Sequence, residues 1–190
     1  MHPVDLIIRV ATSAAVFLAL MPAAHAKNIS FSGMVKAESV RSLVAKAQAA
    51  SAAGDRNITI SLDSVGGDLG AALWAMPILR GLGVNTSVSQ TCWSACTVLF
   101  ASGVRRQAAW DATFIFHGVG TKKKNQKLFG KGVAKDVHAK LVADYSVRWQ
   151  KAISTASPSL AASLGSRNTL RRGQWELTGR ELHRYGYVTD

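Results

Sequence analysis

Four short β-branched or aromatic runs punctuate this chain, and three of them lead into a helix-patterned stretch of ten or more residues. That alternation is the strongest constraint on the fold. Parallel neighbours need a crossover of about a dozen residues, usually helical, whereas antiparallel neighbours close with a tight hairpin. The runs are "NISFSGMV" (28–35), "NITISLDS" (57–64), "VNTSVSQ" (84–90) and "ATFIFHG" (112–118). The first alternates as a half-buried strand does; the second, β-branched and apolar, reads as a buried one. Between them lie "KAESVRSLVAKAQAASAAG", stopped by Gly54, then "GGDLGAALWAMPILRGLG" and "CWSACTVLFASG", each read as a helix. Asp68 near the start of the second helix suits the positive end of its dipole. The pattern predicts an α/β fold of repeated β-α-β units.

Ligands of such folds sit outside the carboxyl ends of the strands. Three polar features fall there: "DSVGGD" after the second strand, Ser94 after the third, and His117 at the close of the fourth. Beyond His117, "GVGTKKKNQKLFGKG" reads as a surface loop. An amphipathic helix is expected over 133–152, then a Ser/Pro break at "STASPS". "WELTGRELHRYGYVTD" is expected as a short helix and a closing extended piece.

The amino-terminal residues bear on compartment. "MHPVDLIIR" precedes the apolar run "VATSAAVFLALM", and Ala24 and Ala26 supply an A-x-A cleavage site. A dozen apolar residues fall short of the about 20 that a membrane span needs. The expectation is a signal peptide over 1–26, a single domain over 27–190, and a periplasmic or secreted location. The net charge of +12 draws such a chain to anionic surfaces. Export and the absence of a helix-turn-helix, zinc-finger or aromatic RNA-binding pattern argue against nucleic acid. His117, His138, His183 and the two cysteines have no zinc-site spacing, so neither metal nor cofactor is expected.

Metal-free hydrolysis of an amide or ester needs a nucleophile, a base and donors for the oxyanion. Ser94 stands at the start of a helix, whose dipole favours charge developing beside it. His117 is the histidine expected on the same sheet edge. Gly66 and Gly67 lack side chains, which lets backbone N–H groups approach a substrate carbonyl.

In order and spacing these blocks resemble the Clp protease proteolytic subunit and the wider Clp-protease/crotonase superfamily, over nearly all of 28–190. "ITISLDSVGGDLGAALWAMPILRGLG" is similar to the family's strand, Ser-Pro-Gly-Gly turn and helix, with Val65 where the proline stands. "CWSACTVLFASG" resembles its nucleophile block, "ATFIFHG" its histidine block, and "ELTGRELHRYGYVTD" its closing helix and Tyr-Gly turn. The resemblance implies a Clp-protease/crotonase-like fold and assigns Ser94 as nucleophile and His117 as general base. It also implies an oxyanion hole from the N–H groups of Gly67 and Ala95, substrate contacts at Gly66 and Gly118, a peptide or unfolded-protein substrate, and a homo-oligomer. The family's aspartate has no counterpart: counting back from Tyr185 lands on Leu170, beside Asn168 and Thr169. Asn168 is one candidate to orient the imidazole, with Glu176 or Asp144 as others. Asp-to-Asn in one well-studied triad costs about 10⁴ in rate.

Cys92 and Cys96 flank Ser94 and form either a disulfide, provided Cys92 lies off the helix, or two buried thiols. Lys122, Lys123, Lys124 and Lys127 replace the family's ring-stacking handle; they make a solvated loop or a dock for an anionic envelope surface or an acidic partner. No ATP-driven unfoldase partner is expected outside the inner membrane. The reading is an exported serine hydrolase, a peptidase. Its main alternative is a catalytically degenerate relative serving as a peptide-binding or oligomeric scaffold module. A crotonase-type acyl-CoA enzyme and a Ser/Lys dyad using Lys140 are further alternatives.

Overall fold

The computed structural model describes residues 26–119, 135–167 and 173–189. Strands β1 (Ala26–Val35), β2 (Asn57–Gly67), β3 (Asn85–Trp93), β4 (Arg106–Ala108), β5 (Thr113–His117) and β6 (Gln174–Thr178) form one sheet. Helices α1 (Ala37–Ala52), α2 (Leu69–Gly81), α3 (Ala95–Ala101), α4 (Lys135–Ala156), α5 (Pro158–Ser166) and α6 (Gly179–Arg184) complete the described part. The strand order is β1-β2-β3-β5-β6, with β4 also paired to β3. All pairs are parallel except β5 with β6. The architecture is thus α/β, with a mixed, mainly parallel sheet.

The helices touch in succession, α1 with α2, α2 with α3 and α4, and α4 with α5, and so form a continuous layer. Beneath it lies the core, where Ile58, Ile60, Leu62 and Ser64 of β2 are buried at alternate positions. Their neighbours Ser61, Asp63 and Val65 are exposed, so β2 is half-buried, contrary to the sequence expectation. Parallel sheets are usually covered on both faces. Here the open face is polar and bonds to itself: Ser87 donates to Ser61 at 3.1 Å and the Asn85 amide to Asn57 at 2.8 Å. Local composition, with Asn57, Thr59, Ser61 and Asp63 alternating with Ile58, Ile60 and Leu62, makes that face compatible with water.

Two boundaries differ from the sequence reading in a way that matters for the site. Strand β2 continues through the glycine pair to Gly67, and Asp68 becomes the N-cap of α2, its carboxylate accepting the Ala71 N–H at 3.0 Å. Strand β3 continues to Trp93, so Cys92 is a strand residue and the helix starts at Ala95. The closing block also changes. "QWELT" is a strand, pairing Phe116 with Trp175 and Phe114 with Leu177, and the helix follows it. Capping fixes that start: Thr178 caps the Glu181 N–H, and Glu181 accepts from Thr178 in return. At the break before α5, Ser157 accepts the Leu160 N–H at 3.1 Å and Pro158 takes the first helical position.

Candidate active site

Parallel pairing of β2, β3 and β5 brings their carboxyl ends side by side, and with them Gly66 and Gly67, Ser94 and His117. Trp93 pairs with Ile115, and the Ser94 N–H donates to the Ile115 carbonyl at 2.8 Å. That bond ties the turn after β3 to the neighbouring strand. The chain then reverses into α3 through Ser94 itself, at φ 54° and ψ −122°. Among the described residues Ser94 is the one non-glycine with positive φ. Such a conformation costs an L-residue about 1–3 kcal/mol and persists only where its surroundings over-determine it.

A serine before a helix ordinarily spends its hydroxyl on a cap. Ser94 does not; its side chain makes no cap hydrogen bond. Instead the Ser94 carbonyl takes the load, accepting the Thr97 N–H at 3.0 Å and the Thr97 hydroxyl at 2.7 Å. Ala95, at the first helical position, carries an N–H with no intrahelical acceptor by geometry.

Gly66 and Gly67 are glycines for reasons the structure makes explicit. A β-carbon on Gly66, at φ +87°, would stand 2.5 Å from the Trp93 carbonyl oxygen, 2.6 Å from Ser94 Cβ and 3.0 Å from the Ala95 nitrogen. One on Gly67, at φ +145°, would stand 2.3 Å from the Val35 carbonyl oxygen. The glycine turn is therefore wedged between β1 and the Ser94 elbow. Ser64, buried, accepts the Gly66 N–H at 3.1 Å and stiffens the turn. Sequence reasoning missed that role, although a serine bonding the backbone two residues on is a known turn device.

His117 is exposed on the open face of the sheet, in line with Thr113 and Ile115, while Phe114 and Phe116 face the core. Its Nδ1 lies 2.9 Å from the Gly118 carbonyl. A carbonyl can only accept, so Nδ1 carries the hydrogen and Nε2 of the neutral ring is left as an acceptor. The described residues contain no hydrogen bond between His117 and Ser94. Directly across from His117 on β6 is Gln174, and two residues on is Glu176, paired with Ile115. Glu176 thus occupies the diagonal position on the same face. Asp144 instead lies 3.7 Å from Arg148, one turn along the exposed side of α4.

Cys92 and Cys96 form a disulfide, with Cα atoms 5.2 Å apart and both residues fully buried. The bridge is possible because Cys92 lies off the helix. Asn168, the lysines Lys122, Lys123, Lys124 and Lys127, and all but the last residue of the expected signal peptide lie outside the described residues. Lys140 is on α4 and exposed. Among the described residues no helix is long and apolar enough to cross a membrane, and no group of His, Cys, Asp and Glu could hold a metal ion. A cleft lined by Trp110, Arg180, His183 and Arg184 opens at the other end of the sheet, near the amino end of β5, and takes no part in this site. No family model matches the chain, and no curated protein matches it in sequence.

Proposed function

We propose that this chain is an exported serine hydrolase, a peptidase, with a Clp-protease/crotonase-like arrangement of its β-α-β units. The observation that carries the reading is the Ser94 elbow: a non-glycine at φ 54° whose hydroxyl is withheld from capping. A strained strand-to-helix turn that presents a serine hydroxyl is a recurrent way to expose a nucleophile.

In this mechanism Ser94 Oγ attacks the acyl carbon of a peptide, and His117 Nε2 takes the hydroxyl proton. The carbonyl oxygen gains the negative charge and is met by the N–H groups of Gly67 and Ala95. Collapse expels the amine, which receives the proton from His117. Water, deprotonated in turn by His117, then frees Ser94 from the acyl intermediate. The Gly118 carbonyl holds the imidazole in the required tautomer, as a triad carboxylate does, but brings no full negative charge to stabilise the imidazolium. Glu176 is the nearest carboxylate along the register for that purpose. A slow enzyme is the expected consequence.

One observation favours the rival, non-catalytic module: among the described residues no hydrogen bond joins His117 to Ser94. Catalytic hydrogen bonds of unliganded sites often tighten only in the substrate complex. Labelling with an alkyl fluorophosphonate separates the two readings. Wild-type protein should label, and Ser94→Ala and His117→Ala should not. A folded wild type that never labels refutes the hydrolase.

A further inference from the structure

The disulfide spans residues 92 to 96 with Ser94 at its midpoint. Its two ends belong to different elements: Cys92 is paired with Phe114 inside the sheet, and Cys96 sits in the first turn of α3. Both are fully buried, and so are Ala95 and Thr97 around them. Between these anchors the backbone must reverse, and it does so at the one residue among those described that pays for a positive φ without being glycine. Apart from the backbone through Ser94, the bridge is the covalent link between the end of β3 and the start of α3.

A strained elbow has an obvious escape. Were the first turn of α3 to slide along the sheet, Ser94 could return to an ordinary negative φ at its N-cap position, and its hydroxyl would cap the helix. Gly66 blocks part of that movement by contact with Trp93 and Ser94. The bridge blocks the rest, because it fixes the distance between the strand end and the helix start.

We propose that the Cys92–Cys96 disulfide is a positioning element for Ser94: it locks the elbow in its strained form, so that presentation of the hydroxyl depends on oxidation of the chain. This rests on the reading of Ser94 as the nucleophile. Reduction consumes two electrons and two protons from a dithiol reductant, which is itself oxidised to a disulfide, and yields the two thiols of Cys92 and Cys96. Because neither sulfur is exposed, reductant reaches the bridge only when α3 opens. The lock is therefore set as the chain folds and oxidises, not toggled in the native state.

The test compares three forms of the full chain: oxidised wild type, wild type refolded in excess phosphine reductant, and Cys92→Ala/Cys96→Ala. The reduced wild type keeps both sulfur atoms and hence the packing volume, so it stands in if the double variant fails to fold. Fluorophosphonate labelling should be about ten-fold slower or worse in the two bridge-free forms. Its pH midpoint should be unchanged, since the His117–Gly118 contact does not involve the bridge, and reoxidation of the reduced wild type should restore the rate. Equal labelling rates with and without the bridge overturn the proposal while leaving the hydrolase intact. If oxidised wild type does not label at all, the hydrolase fails instead, and the positioning claim is then read from the backbone carbon chemical shifts of Ser94. A change toward ordinary helix-cap values on losing the bridge upholds it, and unchanged shifts refute it.

Discussion

Gly66→Ala probes the wedge between the glycine turn and the Ser94 elbow. The new β-carbon meets two penalties that add. Holding an L-residue at φ +87° costs about 1–2 kcal/mol by the Cβ–carbonyl clash that disfavours left-handed backbone. Driving the methyl to 2.5 Å from the Trp93 oxygen and 2.6 Å from Ser94 Cβ forces backbone movement, which costs about a further 1–3 kcal/mol. The Trp93 carbonyl cannot simply rotate away, because Trp93 is paired with Ile115 and the next N–H is bonded to the Ile115 carbonyl. The expected loss is roughly 2–5 kcal/mol, or a fall in Tm on the order of 4–20 °C for a domain of this size. Gly54→Ala is the internal control. Gly54 has φ +92° with nothing within 4 Å of a β-carbon, so it pays the conformational penalty of about 1–2 kcal/mol alone. Chemical denaturation of both variants measures the difference. Equal losses at the two glycines would refute the close packing of β2 against the elbow, and with it the pocket geometry.

Ser94→Gly should be about 1 kcal/mol more stable than Ser94→Ala, because glycine relaxes the strain at φ 54° and no cap bond is lost; equal melting temperatures would contradict the strained elbow. Tyr187→Phe should cost about 0.5–1.5 kcal/mol, since the fully buried phenol donates to the Thr97 carbonyl, which also accepts within α3, so one net hydrogen bond is lost; a neutral substitution would refute that anchor. Burial also raises the Tyr187 pKa, so the phenol should show no ionisation by absorbance up to the pH at which the protein unfolds. Glu181 is held below the usual carboxylate range, chiefly by the hydrogen bond from the Thr178 N–H. Its contribution is therefore fully present above the unfolded-state value near 4.5 and is lost as pH falls through the lower folded value. The melting-temperature gap between wild type and Glu181→Gln should persist at pH 6 and shrink on acidification below the unfolded-state value, closing as the carboxylate is protonated in the folded protein; a gap independent of pH would contradict the cap.

Strands β1, β2, β3 and β5 were legible because isoleucine, valine, phenylalanine and threonine concentrate there, a local signal, although the β-branched content of β2 reads as a buried strand and hides its alternation. The edge that gathers Gly66, Ser94 and His117 followed from the succession of strands and helices, since parallel strands point their carboxyl ends toward the same edge of the sheet. What escaped was set by distant partners. Strand β4 is three residues long, and its Arg106 is buried because the guanidinium donates to the carbonyls of Tyr187, Gly103, Ala156 and Gly186, which come from three separate parts of the chain. "QWELT" contains good helix formers and becomes a strand only because β5 offers it an edge. The start of α3 was misread by three residues, since "CWSAC" has no breaker; the turn is made by strain at Ser94, which composition does not reveal. The group that completes the His117 site was not legible at all, because any of Asn168, Glu176 and Asp144 fits the sequence. The register distinguishes the last two, setting Glu176 on the face of His117 and Asp144 beside Arg148.

Ser94 is proposed as a nucleophile facing an oxyanion hole built from Gly67 and Ala95. A crystal structure of the fluorophosphonate adduct tests it most directly, because the phosphonyl oxygen stands where the oxyanion of a tetrahedral intermediate would. The expected adduct has a covalent bond from phosphorus to Ser94 Oγ, with the phosphonyl oxygen about 2.7–3.1 Å from both the Gly67 and Ala95 nitrogens and His117 turned to within hydrogen-bond reach of Oγ. An adduct on another residue, or one on Ser94 whose phosphonyl oxygen points into solvent away from both N–H groups, would contradict it.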